Sequence, residues 1–283
     1  MPRELPSFDL VVATVGRAGE LGRLLDSLEA QHYASLRVLV VDQNDDLRAA
    51  GLLDGRSLEL VRLQSARGLS RARNAALEQV TANVVAFPDD DCVYPPGLLQ
   101  RVAERFAHDD ALDGLTGRAA DSAGRSAASW KDDAVTLTDD NVWNRAISFT
   151  IFLRRSVVER VGAFDERLGL GSEEPWGSGE EIDFLVRAIR SGARIEYDPS
   201  FVVQHEVREN DAHIGLRDGA SVGYLLRKHG YPARIVGRML IRPAGGALVA
   251  LVRLDGAGAR YQLATLRGRL RGYFGARRSK ISA

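Results

Sequence analysis

Val84-Val85-Ala86-Phe87-Pro88-Asp89-Asp90-Asp91 joins a compact apolar run to three consecutive carboxylates, and the fold turns on how it is read. A short β-branched and aromatic run bounded by proline reads as a buried strand. If the backbone stays extended past Phe87, alternate side chains share a side, so Asp89 and Asp91 point together and Asp90 points away. Two ionised carboxylates side by side repel each other unless a cation lies between them. Oxygen ligands of this kind suit Mg or Mn. The plainer alternative is a solvated acidic turn, or the cap of a helix opening near Pro95-Pro96. Position favours the metal reading, because ligands in open α/β sheets bind beyond the carboxyl ends of the strands.

Upstream, strand and helix patterns alternate, which predicts βαβ units around a largely parallel sheet. Phe8–Thr14 is a strand ending before Gly16, and Glu20–Gln31 sets Leu21, Leu24, Leu25 and Leu28 at helical spacing. Leu36–Val41 is a second strand, running into the polar turn Asp42–Asp46, and Leu58–Leu63 a third. Ser70–Val80 is a helix with Ser70 as its N-cap, and Asn83–Phe87 is the fourth strand. Thr14 with Arg17, Asp42, and Asp89–Asp91 therefore all fall at strand ends and converge on one crevice. Arg67-Gly-Leu-Ser-Arg-Ala-Arg73-Asn74 offers glycine, a helix start and arginines, suited to an anionic diphosphate, though without a Walker A lysine.

Downstream, Thr116–Asn144 is rich in Ala, Ser, Gly and Asp and reads as a long loop, with Trp130 and Trp143 as acceptor-binding candidates. Ile147–Leu153 is a strand and Ser156–Val161 a helix. The glycine-rich segment Gly169–Gly179, holding Trp176 as a third acceptor candidate, leads into Glu180-Glu181-Ile182-Asp183. Ile182, Leu185, Val186 and Ile189 form the buried stripe of a helix stopping near Gly192. Acids in a first turn stabilise a helix by about 0.3–1 kcal/mol each, and an ionised carboxylate in a cleft can also accept a proton from a hydroxyl. Arg194–Tyr197 and Phe201–Val203 are short strands, the latter running into His205, whose neutral imidazole is a candidate metal ligand.

At 283 residues, 45% hydrophobic and 27% charged, the chain has length for one large α/β core with an appendage. We expect a division into residues 1–206 and 207–283. The lone Cys92 excludes an internal disulfide framework and fits a reducing compartment. No secretory signal and no membrane-spanning helix are expected, since no unbroken apolar run of eighteen residues occurs. The formal net charge of zero hides a split. Thirteen Lys/Arg and one acid, Asp255, lie from Arg227 onward, a net of +12, so residues 1–226 carry −12. A basic tail of this kind meets an anionic partner or its own acidic body. Met239–Leu254 and Leu263–Phe274 mix apolar residues with arginine, which suits an anionic bilayer interface. A helical arm for oligomerisation is the alternative, and no nucleic-acid partner is expected.

Taken in order, Ala13-Thr14-x-x-Arg17, Val41-Asp42, Arg67-Gly68-x-x-x-Ala72-Arg73-Asn74, Phe87-Pro88-Asp89-Asp90-Asp91, Gly162-Ala-Phe-Asp-Glu166, Gly179-Glu180-Glu181-x-Asp183-x-x-x-Arg187 and His205 form a familiar series. It resembles glycosyltransferase family 2, inverting enzymes of GT-A fold, over roughly residues 7–206. The resemblance implies an α/β, GT-A-type Rossmann-like nucleotide-binding sheet flanked by helices, here followed by a basic helical C-terminal extension. It implies that Thr14, Arg17 and Asp42 hold the base and ribose of a nucleotide-sugar. Arg73 and Asn74 would position the nucleotide, with Arg67 a weaker candidate. Asp89 and Asp91 match the metal-binding Asp-x-Asp, Asp90 would touch sugar or ribose, and His205 matches a metal ligand found in part of the family. Glu181 stands where the family usually has the Asp of a Glu-Asp pair, the catalytic base. That departure leaves Glu180 and Asp183 open as bases.

The expected activity is Mn- or Mg-dependent inverting transfer from a nucleoside-diphosphate-sugar donor to a glycan or lipid-linked glycan acceptor. The expected place is the cytoplasm, peripheral on the inner face of the cell membrane. A nucleotidyltransferase acting on sugar phosphates and a non-catalytic sugar-nucleotide or glycan-binding module are the alternatives. The first would usually show a glycine-rich first loop with a lysine, which Ala13–Arg17 lacks.

Overall fold

A computed structural model describes residues 4–46, 48–126, 130–206 and 211–275. The first half supplies β1 (Phe8–Thr14), α1 (Ala18–Glu29), β2 (Leu36–Asp42), β3 (Glu59–Gln64), α2 (Leu69–Leu77) and β4 (Val84–Ala86). β1 and β2 pair in parallel from Phe8↔Leu36 to Thr14↔Asp42, and β3 and β4 extend the same parallel half. Strands buried on both faces read as near-continuous apolar runs, as β1 and β2 do. Their alternation still sorts the faces. Phe8, Leu10 and Val12 join Leu36, Val38 and Val40 beneath the α1 stripe Leu21, Leu24, Leu25 and Leu28. Asp9 points to the opposite face.

The rest of the sheet comes from β5 (Cys92–Val93), β6 (Gly114–Ala120), β7 (Val135–Thr136), β8 (Ile151–Arg154) and β9 (Ile195–His205). Strand order is β3-β2-β1-β4-β8-β6-β9-β5, with β7 beside β9. β8 runs antiparallel to β4 and β6, and β5 and β7 run antiparallel to β9, while β6 and β9 pair in parallel, so the parallel array expected is continuous only through the first half of the sheet. The helix opening after Pro95-Pro96 forms as α3 (Leu98–His108), whose Leu99, Val102 and Phe106 join the same core, and α4 (Arg155–Val161) follows β8.

Four local expectations are corrected. Ile147–Leu153 is not one strand: the Thr150 amide and hydroxyl both donate to the Ile147 carbonyl, closing a single turn before β8. The two short strands after Arg194 are one, β9, passing through Pro199. Its partner β6 shifts register at Gly117, where a Cβ would lie 2.0 Å from the Phe201 carbonyl, so only glycine fits. Thr116–Asn144 is not all loop, for β6 runs through Ala120, β7 takes Val135–Thr136 and a turn closes at Val142–Asn144, while 127–129 lie outside the described residues. Ser70 does not cap α2; its hydroxyl donates to the Leu168 carbonyl at 2.7 Å.

The chain divides into two compact units. The first comprises Met1–Arg67, Arg71–Phe164 and Phe184–Val207 and holds the sheet; the second comprises Gly68–Ser70, Asp165–Asp183 and Arg208–Ala283. The second contains α6 (Ala212–Lys228), α7 (Ala233–Val252) and α8 (Gly256–Gly275). Gly215, Gly219 and Gly223 of α6 meet Thr265, Gly268 and Gly272 of α8 so closely that backbones touch. α7 is long and apolar enough to cross a membrane by length and composition, with a mean hydropathy of 1.6. Arg238 and Arg242 interrupt its apolar run.

Candidate active site

Within the first unit, β1 and β4 deliver the acid cluster. A parallel bridge between Ala13 and Asp89 fixes the triplet beside the end of β1. Asp89–Asp91 is not extended as expected but forms a tight turn, closed by the Cys92 amide donating to the Asp89 carbonyl at 3.2 Å. The turn still brings the side chains of 89 and 91 together. β5 then pairs with β9 in the register Cys92↔His205, which sets His205 beside the turn. One ligand atom each from Asp89, Asp91 and His205 lie within 4.8 Å of one another. His205 Nε2 is 3.2 Å from Asp91, Nδ1 is 2.8 Å from the Glu206 carbonyl, and the ring stacks on Phe149 at 4.9 Å. Two carboxylates and an oriented imidazole are a donor set that fits Mn or Mg.

Asp90 turns the other way. It accepts from the Thr14 hydroxyl at 2.8 Å and from Arg17 at 3.0 Å, while the same Arg17 nitrogen reaches Asp91 at 2.7 Å. Burial pushes the Asp90 carboxyl up to about 6, against the pull of Thr14 and Arg17. Burial also raises Asp89, with Asp91 adding repulsion and Arg73 and His205 opposing. For His205, burial alone would lower the imidazole, but the hydrogen bond and charge of Asp91 raise it. All three groups thus hold protons more readily than in an unfolded chain, the two carboxyls through burial and the imidazole through Asp91.

The other first-unit candidates are engaged locally. Arg73 is buried, pairs with Asp89 at 3.2 Å, and lies over the rings of Phe87 and Phe164. Asn74 clamps the Phe164 backbone, donating to its carbonyl at 3.1 Å and accepting from its amide at 2.7 Å. Asp42 is fully buried; one oxygen accepts from the amide and side chain of Asn44, the other from Arg62 at 2.7 Å. Burial raises its carboxyl, but these bonds outweigh that and lower it. Arg67 is exposed. Trp130 donates to the Ser126 hydroxyl at 2.7 Å and Trp143 to the Asp139 carbonyl at 3.1 Å, both with rings part-exposed.

The second unit holds the first turn of the helix α5 (Glu180–Arg190), which opens after Gly179, whose φ is +84°. Its three acids separate by environment. Asp183 is fully buried, 2.6 Å from Lys228 and 2.8 Å from His229, and Lys228 also bonds Asp165 at 2.7 Å. Glu180 is buried, and Glu181 is half-buried. Trp176 is buried and stacked on Tyr224 at 4.4 Å, a packing role; its indole nitrogen is buried without a partner among the described residues.

Sequence reasoning missed Ser148, which donates to Asp89 at 3.1 Å, along with Arg62 and the Lys228-His229 pair. Arg62 carried a faint signal, a charge set among Leu60, Val61 and Leu63 of β3. Ser148 carried none.

The sheet order, with acids past β4 and at the end of β2, is that of a GT-A fold, and solved structures agree. A mannosyltransferase of Pyrobaculum calidifontis, solved with GDP-Man and Mn2+, superposes with a TM-score of 0.69 at 16% identity over 97% of this chain and 89% of its own. Residues 1–349 of S. aureus TarS in complex with UDP give 0.57 at 19% identity, covering 94% and 91%. The profile of Glycosyl transferase family 2 matches residues 9–162, and the chain belongs to that family. It is 27% identical to the pre-mycofactocin glycosyltransferase of Mycobacterium tuberculosis over 87% of its own length, spanning 52% of that protein. It is 28% identical to the succinoglycan biosynthesis protein ExoM of Rhizobium meliloti, over 83% of this chain and 80% of ExoM.

Proposed function

We propose that the chain transfers a sugar from a nucleoside diphosphate to an acceptor hydroxyl by direct displacement, with inversion, in the presence of Mn or Mg. The observation that carries this is the convergence of Asp89, Asp91 and His205 within 4.8 Å at the strand ends of a family 2 fold. Those three residues would hold the ion, which would supply Lewis-acid neutralisation of the leaving diphosphate. Thr14, Arg17 and Asp90 shape the donor side, with Asp42 and exposed Arg67 beside the nucleotide, Arg73 holding Asp89, and Asn74 bracing the Phe164 backbone rather than the donor. Glu181, at the position the family resemblance implies for the base, takes the acceptor proton: Asp183 is committed to Lys228 and His229 and Glu180 is buried, whereas Glu181 is half-buried.

The acceptor is a glycan or lipid-linked glycan, met by Trp130 and Trp143. The chain works in the cytoplasm, at the inner face of the membrane. Guanosine- and uridine-diphosphate sugars are the donors to try first, since the neighbours' structures hold GDP-Man and UDP.

The test is donor turnover with Mn. Release of nucleoside diphosphate supports transfer, pyrophosphate would mean nucleotidyl transfer, and binding without product would mean a non-catalytic module. Glu181→Gln should keep nucleotide affinity while turnover falls by about 10²–10⁴-fold. Unchanged turnover would remove Glu181 from its role.

A further inference from the structure

Helix α7 presents two apolar faces where a soluble surface helix has one. Ile235, Met239, Pro243, Ala247 and Ala250 form its buried stripe. On the opposite side, at helical spacing, stand Ile241, Leu248 and Val252, exposed by 70%, 64% and 77%. Helix α8 packs beside α7, with Arg269 donating to the Met239 carbonyl. The solvent face of α8 is one stripe of Arg260, Leu263, Arg267, Leu270, Arg271 and Phe274. Spacings of three and four put arginine and large apolar side chains on the same line. Asp255, which caps α8 by accepting from the Gly258 amide, is the sole acid among residues 228–275.

We infer that α7 and α8 together form a surface that lies in the plane of an anionic lipid bilayer, with Ile241, Leu248, Leu263 and Phe274 entering the acyl boundary and the arginines among lipid phosphates. The charge argument selects the occupant: an apolar face for another protein would not need arginine at every turn and almost no acid, whereas a lipid surface attracts both features. The inner stripe selects the mode. A helix whose other side packs into its own unit and which carries Arg238 and Arg242 mid-length lies on the membrane rather than through it. This deepens the membrane-borne acceptor of the preceding reading. Because lipid binding is measured without donor or metal, its failure and the failure of sugar transfer are separate results.

The experiment is vesicle co-sedimentation of the full chain. Vesicles containing phosphatidylglycerol should capture it at low salt, pure phosphatidylcholine should capture far less, and high salt should release it. Arg260→Gln, Arg267→Gln and Arg271→Gln together should lower partitioning into anionic vesicles roughly a hundredfold, at about fivefold per charge. Leu263→Glu with Phe274→Glu should abolish capture while circular dichroism and melting stay unchanged, since both side chains are exposed. Absence of anionic capture by the unmodified chain overturns the inference, as does capture that ignores salt and both variants. Salt-insensitive dimerisation buried by the same substitutions would assign the face to a second copy instead. Resistance to alkaline extraction from the vesicles would overturn the in-plane mode in favour of a spanning helix.

Discussion

At the residue scale, Asp89, Asp91 and His205 were readable because each stands at a strand end and carries a metal-ligand side chain. The logic of their neighbours was hidden. The residue type of Asn74 fits a nucleotide contact, yet its amide grips the Phe164 backbone, ninety residues away. Asp183 looked like a third candidate base until Lys228 and His229, from another helix, claimed it. Partners so distant in sequence leave no local pattern. Two substitutions separate ligand from scaffold. Asp91→Asn should weaken Mn binding by about a hundredfold or more, since even outer partners of metal ligands are worth about ten- to a hundredfold. Isothermal titration with Mn and nucleoside diphosphate reads this, and undiminished Mn affinity would exclude Asp91 as a ligand. Asn74→Ala removes two hydrogen bonds and should cost about 1–3 kcal/mol of stability. Nucleotide affinity should hold once the folded fraction is corrected; a large affinity loss without destabilisation would return Asn74 to the donor.

Among the elements, long periodic ones were legible and those shaped by pairing were not. The α1 stripe and the β1 and β2 runs follow from sequence period, and their bounds agree within about two residues. β9 was split because Pro199 argues against a strand interior; what rescues it is the register shift opposite, at Gly117. The α6–α8 seam was equally invisible, since glycines in a helix pattern read as a propensity penalty until the partner helix is present. There the absence of a side chain permits contact: a Cβ at Gly272 would lie 1.9 Å from the Ala220 carbonyl, and one at Gly223 2.0 Å from that of Arg269. Gly272→Ala should therefore destabilise the helical unit by about 1–3 kcal/mol through overpacking. Gly237→Ala, on α7 with nothing within 4 Å of the new methyl, should stabilise by about 0.5–1 kcal/mol through helix propensity. Denaturant melts of the pair test the seam directly. Equal effects of the two alanines would mean that α6 and α8 are farther apart than drawn.

For the whole molecule, carboxylates pull stability in opposite directions as pH changes. Asp9 accepts from Arg37 and from the Thr81 and Ala82 amides; burial would raise it, but these bonds and the arginine charge lower it. Asp42 is lowered likewise, and Asp165 is held down by Arg167 and Lys228 against its burial. A carboxyl with a folded pKa below its unfolded value stabilises the fold above the unfolded pKa and loses that contribution as pH falls through the folded one. These three therefore drive unfolding below about pH 4. Asp89, Asp90 and His205 act oppositely: each is raised on folding, so the folded chain takes up protons first and gains stability as pH drops from neutral. Asp90 alone, moved from 3.8 to about 6, makes that gain about 1–1.5 kcal/mol by pH 5. Without divalent ions, Tm should thus peak near pH 5, a few degrees above its value at pH 7.5, and fall on the acid side. Saturating Mn should reverse the order between those two points, because the ion binds the deprotonated ligands and its stabilisation is lost where protons compete. Scanning calorimetry at the two pH values, with chelator and with Mn, measures both arms. A Tm that is flat between them in chelator would show that Asp89, Asp90 and His205 take up no protons ahead of unfolding, and one that Mn raises equally at both would show that protons do not compete with the ion at Asp89, Asp91 and His205.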